Sequence, residues 1–144
     1  MFSKACEYGI RASIYIAEQS QLDRKVSLKE VADAIESPAA YTSKILQLLS
    51  RHKIILSGKG PTGGFSMDNY ELDKLNLSTI VQAIDGDDIY VGCGLGLSKC
   101  NEKEPCPVHN QFKLIRAELK KMLETTTIKS LAEDVEKGLT FLRR

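Results

Sequence analysis

The chain has 144 residues, a formal net charge of +1 and four cysteines. That length fits one domain with an extension, large enough to bury a core without disulfide staples. The near-neutral balance excludes a uniformly basic nucleic-acid binder, and no run is long and apolar enough to cross a bilayer.

The segment from Phe2 to Gln19 predicts a helix, with Ala5, Tyr8, Ala12, Tyr15 and Ile16 on one face. Ile10 and Ile14 fall off that stripe and predict a second contact, with a partner subunit. Ser27-Leu28-Lys29-Glu30 is a capping box that opens a short helix ending at Glu36, with Leu28, Val31, Ala32 and Ile35 buried. Ser37 is the expected N-cap of the next helix, and Pro38 suits its first turn. Two helices joined by so tight a turn form a helix-turn-helix. In the second of them Tyr41, Ile45, Leu48 and Leu49 share a face. At about 100° per residue, Ala39, Ala40, Ser43, Gln47 and Ser50 lie opposite, with Lys44 and Arg51 at the edge.

Ile54-Ile55-Leu56 predicts a strand and Phe65-Ser66-Met67 its return. The glycine-rich turn between them makes a β-hairpin wing, stiffened by Pro61. A helix over Leu77–Ile84 follows and Gly86 closes it. Residues 87 to 107 are expected to be irregular. Beyond them, Phe112, Ile115, Leu119 and Met122 recur at heptad-like spacing on a Lys- and Glu-rich helix, and a last short helix carries Ile128, Leu131, Ala132 and Val135. The expected fold class is mainly α with a small β-hairpin. Its units are a winged helix-turn-helix over 1–86, a cysteine loop over 87–110, and a long dimerisation helix with a C-terminal helix over 111–144.

Charge is local where it is not global. From Ser37 to Met67 the basic residues are Lys44, Arg51, Lys53 and Lys59, with no Asp or Glu. A helix-turn-helix puts its second helix in the major groove, where short side chains allow close approach to base edges. Gln47 can pair with adenine, Lys44 with guanine or phosphate, and Lys59 at the wing tip with phosphate or a narrow minor groove. The expected partner is double-stranded DNA carrying a pseudo-palindromic operator. The candidate contacts are Ala39, Ala40, Tyr41, Ser43, Lys44, Gln47, Arg51, Lys59, Gly60 and Thr62.

Cys93, Cys100 and Cys106 follow the pattern C-x6-C-x5-C, with Gly92, Gly94 and Gly96 among them. MFSKACEYGIRAS has no apolar core with a cleavage site, so a cytoplasmic protein with reduced thiols is expected. Three soft thiolates on a flexible loop select iron–sulfur clusters, zinc or copper(I). The gaps are longer than the usual zinc pairs, and no C-x-x-C redox pair is present. Cys6 is expected to be a small packing residue in the first helix. With only His52 and His109, and no nucleophile elbow, phosphate loop or paired carboxylates, no enzyme is expected.

The stretch SLKEVADAIESPAAYTSKILQLLSRHKIILSGKGPTGGF resembles the DNA-binding domain of the Rrf-two family of bacterial regulators, whose members include IscR-, NsrR- and CymR-like proteins. The hallmarks are the Tyr41-to-Leu49 helix and the Gly60-Pro61-Thr62-Gly63-Gly64-Phe65 wing, and the likeness spans essentially the whole chain. It implies a homodimer formed by the long helix after the cysteines, with the first helix of one subunit near the cysteine loop of the other. Cluster-binding members carry three cysteines in the matching loop and a non-cysteine fourth ligand, although the first gap here is one residue longer than their pattern. The resemblance implies an iron–sulfur cofactor, of the 2Fe-2S kind ahead of the 4Fe-4S kind, on Cys93, Cys100 and Cys106. His109 matches the fourth ligand of IscR-like members, and Glu7 the carboxylate that NsrR-like members draw from the other subunit. The expected function is a sequence-specific regulator, a repressor, whose operator affinity follows cluster supply, nitric oxide or redox state. The alternatives are zinc or thiol oxidation in place of the cluster, and a winged-helix protein-interaction module without DNA binding.

Overall fold

The computed structural model describes residues 1–144. In chain order the elements are α1 (Lys4–Gln21), α2 (Leu28–Ala34), α3 (Ala39–Arg51), β1 (Leu56–Gly58), β2 (Gly64–Ser66), α4 (Leu77–Asp85), α5 (Asp88–Val91), α6 (His109–Thr125) and α7 (Ile128–Glu136).

Helix α1 runs through the centre and packs on α3, α4 and α7. Its buried residues include Cys6, Gly9, Ala12, Ser13, Ile16, Ala17 and Ser20: of the expected stripe Ala12 and Ile16 are in the core, while Ala5, Tyr8 and Tyr15 are half-buried, so the core face is rotated from that stripe. Small residues decide this. A Cβ at Gly9 would collide with the Ile84 side chain, so glycine there lets α4 nest against α1. Ile14 is 7% exposed and belongs to the chain's own core, not to a partner contact. Ser20 is buried for a reason hydropathy does not carry: its hydroxyl accepts the Met67 amide at 2.8 Å, tying α1 to the end of the wing.

The capping box forms as predicted, with the Ser27 hydroxyl accepting the Glu30 amide at 3.2 Å and the Glu30 carboxylate accepting the Ser27 amide. Glu36, at φ 51°, turns the chain from α2 into α3. Ser37 is not the cap. Pro38 takes the N-cap position, because Ser37 instead pairs its hydroxyl with Thr42, whose own hydroxyl donates to the Pro38 carbonyl at 2.8 Å. Ile54 and Ile55 are buried ahead of the wing, and the strands run one or two residues away from the predicted ones, pairing Leu56 with Ser66 and Gly58 with Gly64. A bridge from Val26 to Phe65 adds a third, short rung (Val26 N to Phe65 O 3.0 Å, Phe65 N to Val26 O 2.7 Å).

Within the span expected to be irregular, Asp88–Val91 form the one-turn helix α5. Helix α6 is anchored at its C-terminal end. Leu123 is fully buried there, and the turn into α7 bonds to the entry of α4 through Leu77 N to Thr126 O (3.0 Å) and Ile128 N to Leu75 O (2.8 Å). Helix α7 then returns to α1, placing Ile128 and Ala132 in the same core as the helix-turn-helix.

Candidate nucleic-acid interface and cysteine site

Helix α3 buries Thr42, Ile45, Leu46 and Leu49. Its other side leaves Ala39, Ala40, Lys44, Gln47 and Arg51 exposed and Ser43 half-buried. Gln47 Nε2 donates to Ser43 Oγ at 3.5 Å, so the two polar side chains share one surface strip. Tyr41 is half-buried and meets Tyr8 edge-on, ring centres 5.5 Å apart, so most of its ring holds α3 to α1 instead of facing outward.

The wing tip is held by Gly63 N donating to Gly60 O at 3.0 Å, with Gly60 at φ 81°. Gly63 is obligatory: a Cβ there would lie 2.6 Å from the Gly58 carbonyl oxygen. Lys59, Gly60 and Thr62 are exposed at the tip. The Val26–Phe65 bridge brings Lys25 to the wing base, its Cβ beside Gly64, and Lys29 lies in the first turn of α2. Neither lysine stood out in the sequence, because a strand rung of one residue has no periodicity to read.

The two sets of contacts predict different signatures. Lys59→Ala weakens binding to every DNA and lowers the slope of log K against log salt by about 0.9, the loss of one neutralised phosphate. Gln47→Ala relaxes preference at one base pair, at about 1–3 kcal/mol. Salt titrations on matched and mismatched operators read both; wild-type behaviour in both mutants overturns the groove assignment.

The cysteine loop folds against one face of α6. His109, the first residue of that helix, is 6% exposed. Its Nδ1 lies 3.4 Å from Cys100 Sγ, while Nε2 is buried without a partner. Two turns further on, Arg116 donates to Cys100 Sγ at 3.2 Å and also to the Gly92 carbonyl. Cys100, His109, Lys113, Arg116 and Lys120 line a groove of about 450 Å³. Gly94 lies flat on the Phe112 ring, where a Cβ would come within 2.6 Å of ring carbons. Phe112 therefore serves the loop. The Cys93 thiol is held below its ordinary value chiefly by the backbone N–H groups of Leu95 and Leu97, with help from the nearby Cys106 side chain.

The fourth cysteine behaves differently. Cys6 is fully buried, and burial with the nearby Asp85 carboxylate pushes its thiol up to about 12, so it stays protonated. Glu7 does not face the groove of Cys100. It pairs with Lys4 at 3.1 Å and lines a separate cleft with Phe2, Ile10, Arg11 and the chain end at Phe141–Arg144.

The residues present fit an iron–sulfur cluster by donor chemistry: three free thiols on one loop and a buried imidazole with a free nitrogen. No three His, Cys, Asp or Glu side chains are gathered closely enough to hold a single metal ion. Cys93 sits with Cys106 and Cys100 with His109, so joint ligation requires the loop to draw these pairs together.

Residues 2–134 match the family described as Rrf2, iron-dependent transcriptional regulator. The chain is 32% identical over 141 residues to an HTH-type transcriptional regulator of Aquifex aeolicus (strain VF5), with 96% of each chain covered. The chain belongs to the Rrf2 family. It is a winged-helix, DNA-binding transcription regulator and not an enzyme, as the sequence led us to expect. Among solved structures, CymR, the global cysteine regulator of B. subtilis, superposes with a TM-score of 0.74 at 22% identity, covering 92% of this chain and 96% of that one. T. potens IscR superposes at 0.72 and 16% identity, covering 97% and 91%. These likenesses establish the fold of this Rrf2 regulator. No helix of the chain is long and apolar enough to cross a membrane.

Proposed function

We propose that this Rrf2 regulator is a homodimeric repressor whose operator affinity is set by an iron–sulfur cluster on Cys93, Cys100 and Cys106, with His109 as fourth ligand. The observation that carries the reading is the buried His109 at the start of α6. One ring nitrogen faces the Cys100 thiol and the other has no partner. A buried, unpaired ring nitrogen costs about 1–3 kcal/mol, and a site that uses the ring explains why it is retained. Glu7 on the partner's α1 is the alternative ligand; its place in the cleft beside Phe141 offers no support within one protomer.

When bound, the cluster supplies a centre sensitive to oxygen, nitric oxide or its own supply. The chain's residues do the rest. The backbone N–H groups of Leu95 and Leu97 favour the Cys93 thiolate, and the Arg116 guanidinium donates to Cys100 Sγ. Residues 1–86 read DNA, 87–110 sense and α6 joins the protomers. Because α7 packs on α1, the far end of α6 is anchored in the DNA-reading body. A shift of α6 then changes the spacing of two reading heads that must meet half-sites one turn apart, about 34–36 Å.

The test is operator binding by anaerobically prepared protein before and after nitric oxide. The proposal predicts a change in affinity of at least about tenfold, the scale of typical allosteric coupling. Equal affinity in both states of a protein shown to carry iron overturns it. The competing arm keeps DNA binding but replaces the cluster with zinc or thiol oxidation at the same cysteines.

A further inference from the structure

We infer that Arg116 is the positioning residue that couples the cysteine loop to α6, by gripping the loop at two points with one guanidinium. The inference rests in part on the proposed cluster site and names a residue that the ligand set does not include.

Three observations carry it. The guanidinium donates through Nη1 to the Gly92 carbonyl at the start of the loop and through Nη2 to Cys100 Sγ near its middle. These two acceptors are eight positions apart in sequence, so a single planar fork closes that stretch of loop onto the helix. None of the ion pairs in the chain involves Arg116, so its charge is committed to the loop and not to a carboxylate. His109 and Arg116 are two helical turns apart and project from the same face of α6, so the helix holds Cys100 from both sides of one groove.

The neighbouring cations are occupied elsewhere. Lys113 pairs with Glu102, and Lys120 pairs with Glu124 and sits over the Tyr90 ring at 5.9 Å. Arg116 alone among them reaches a cysteine sulfur. Any rearrangement that draws Cys100 toward Cys93 and Cys106 must pull on this fork, and through it on α6. A cation donating to a ligating sulfur also favours the reduced, more negative state of a bound cluster.

The experiment compares Arg116→Gln and Arg116→Lys with wild type. In iron-free protein, hydrogen–deuterium exchange over residues 92–100 is expected to rise severalfold in R116Q, with α3 unchanged. R116K should lie between, because one ammonium cannot span both acceptors as a fork does. After anaerobic loading, R116Q is expected to lose iron to a chelator faster and to show a lower reduction potential than wild type. Loop exchange identical to wild type in both variants overturns the clamp. Faster exchange throughout α6 and the core, in R116K as well as R116Q, overturns it too, because Arg116 is then a general stabiliser. Faster loop exchange with unaltered potential and chelator release overturns the link to the cluster. If wild type takes up no iron at all, the proposed cofactor fails, and the clamp is decided by the exchange data alone.

Discussion

Cys100→Ala protein, reconstituted anaerobically beside wild type, is expected to be colourless and free of iron, and its operator affinity is expected to ignore nitric oxide and oxygen. Cys100 is the sulfur met by both His109 and Arg116, so its removal deletes one of three thiolates and the point where α6 holds the loop. The fold should survive. Cys100 is half-buried, lies outside the buried core and packs in a loop whose neighbours Lys99 and Asn101 are exposed. Losing the sulfur leaves the buried His109 Nδ1 without its partner, at about 1–3 kcal/mol, so retained helical content and dimerisation serve as the control instead of an unchanged melting temperature. A mutant that folds and dimerises like wild type yet keeps its response to nitric oxide contradicts the assigned role.

Ile115→Glu is expected to convert the proposed homodimer to monomer. Helix α6 spans 17 residues but buries only His109 and Leu123 against its own chain. Leu114, Ile115 and Met122 are 70%, 55% and 46% exposed; Ile115 and Met122, seven residues apart, share one strip, while Leu114 points about 100° round the helix from Ile115. Of the four residues with heptad-like spacing, Phe112 is taken by the loop and Leu119 leans on the protomer's own core. That leaves Ile115 and Met122 as the uncommitted apolar side chains of that spacing. In a two-fold interface each substitution counts twice. Losing an Ile contact costs about 1.5–3 kcal/mol per site even before the carboxylate is desolvated. A total of at least about 4 kcal/mol weakens dimerisation roughly a thousandfold. Operator affinity should fall with it, since joining two reading heads is worth about 10²–10⁴ over one. Sedimentation at micromolar concentration reads the outcome. A wild-type dimer from I115E would place the interface on another face.

The helix-turn-helix and the wing were legible because their signals are local. Ser27 and Glu30 announce a helix start in four residues, and the turn through Gly60–Gly64 announces a hairpin. Where the sequence misled, the cause was tertiary. Gly9, Ser13 and Ser20 carry no apolar signal, yet they are on the buried face of α1, because close helix packing wants small residues and Ser20 has a backbone donor to satisfy. Ser37 has every property of an N-cap and lost that position to Pro38 because Thr42 offered its hydroxyl a partner. In the candidate site, the three cysteines stood out by residue type and spacing, and His109 through the family resemblance. Arg116 did not, since a lysine- and glutamate-rich helix gives no hint which cation turns toward sulfur. Phe112 fitted the heptad pattern and serves a different contact, which only the position of Gly94 reveals.

The central claim is that three cysteines and His109 hold an iron–sulfur cluster. The most direct measurement is iron and acid-labile sulfide per protomer, with the visible absorption spectrum, on protein purified and reconstituted under strict anaerobic conditions. The account predicts brown protein in which iron and sulfide are present together, and their joint loss in Cys93→Ala, Cys100→Ala and Cys106→Ala. A colourless wild-type protein without iron, or one holding zinc alone, would contradict it.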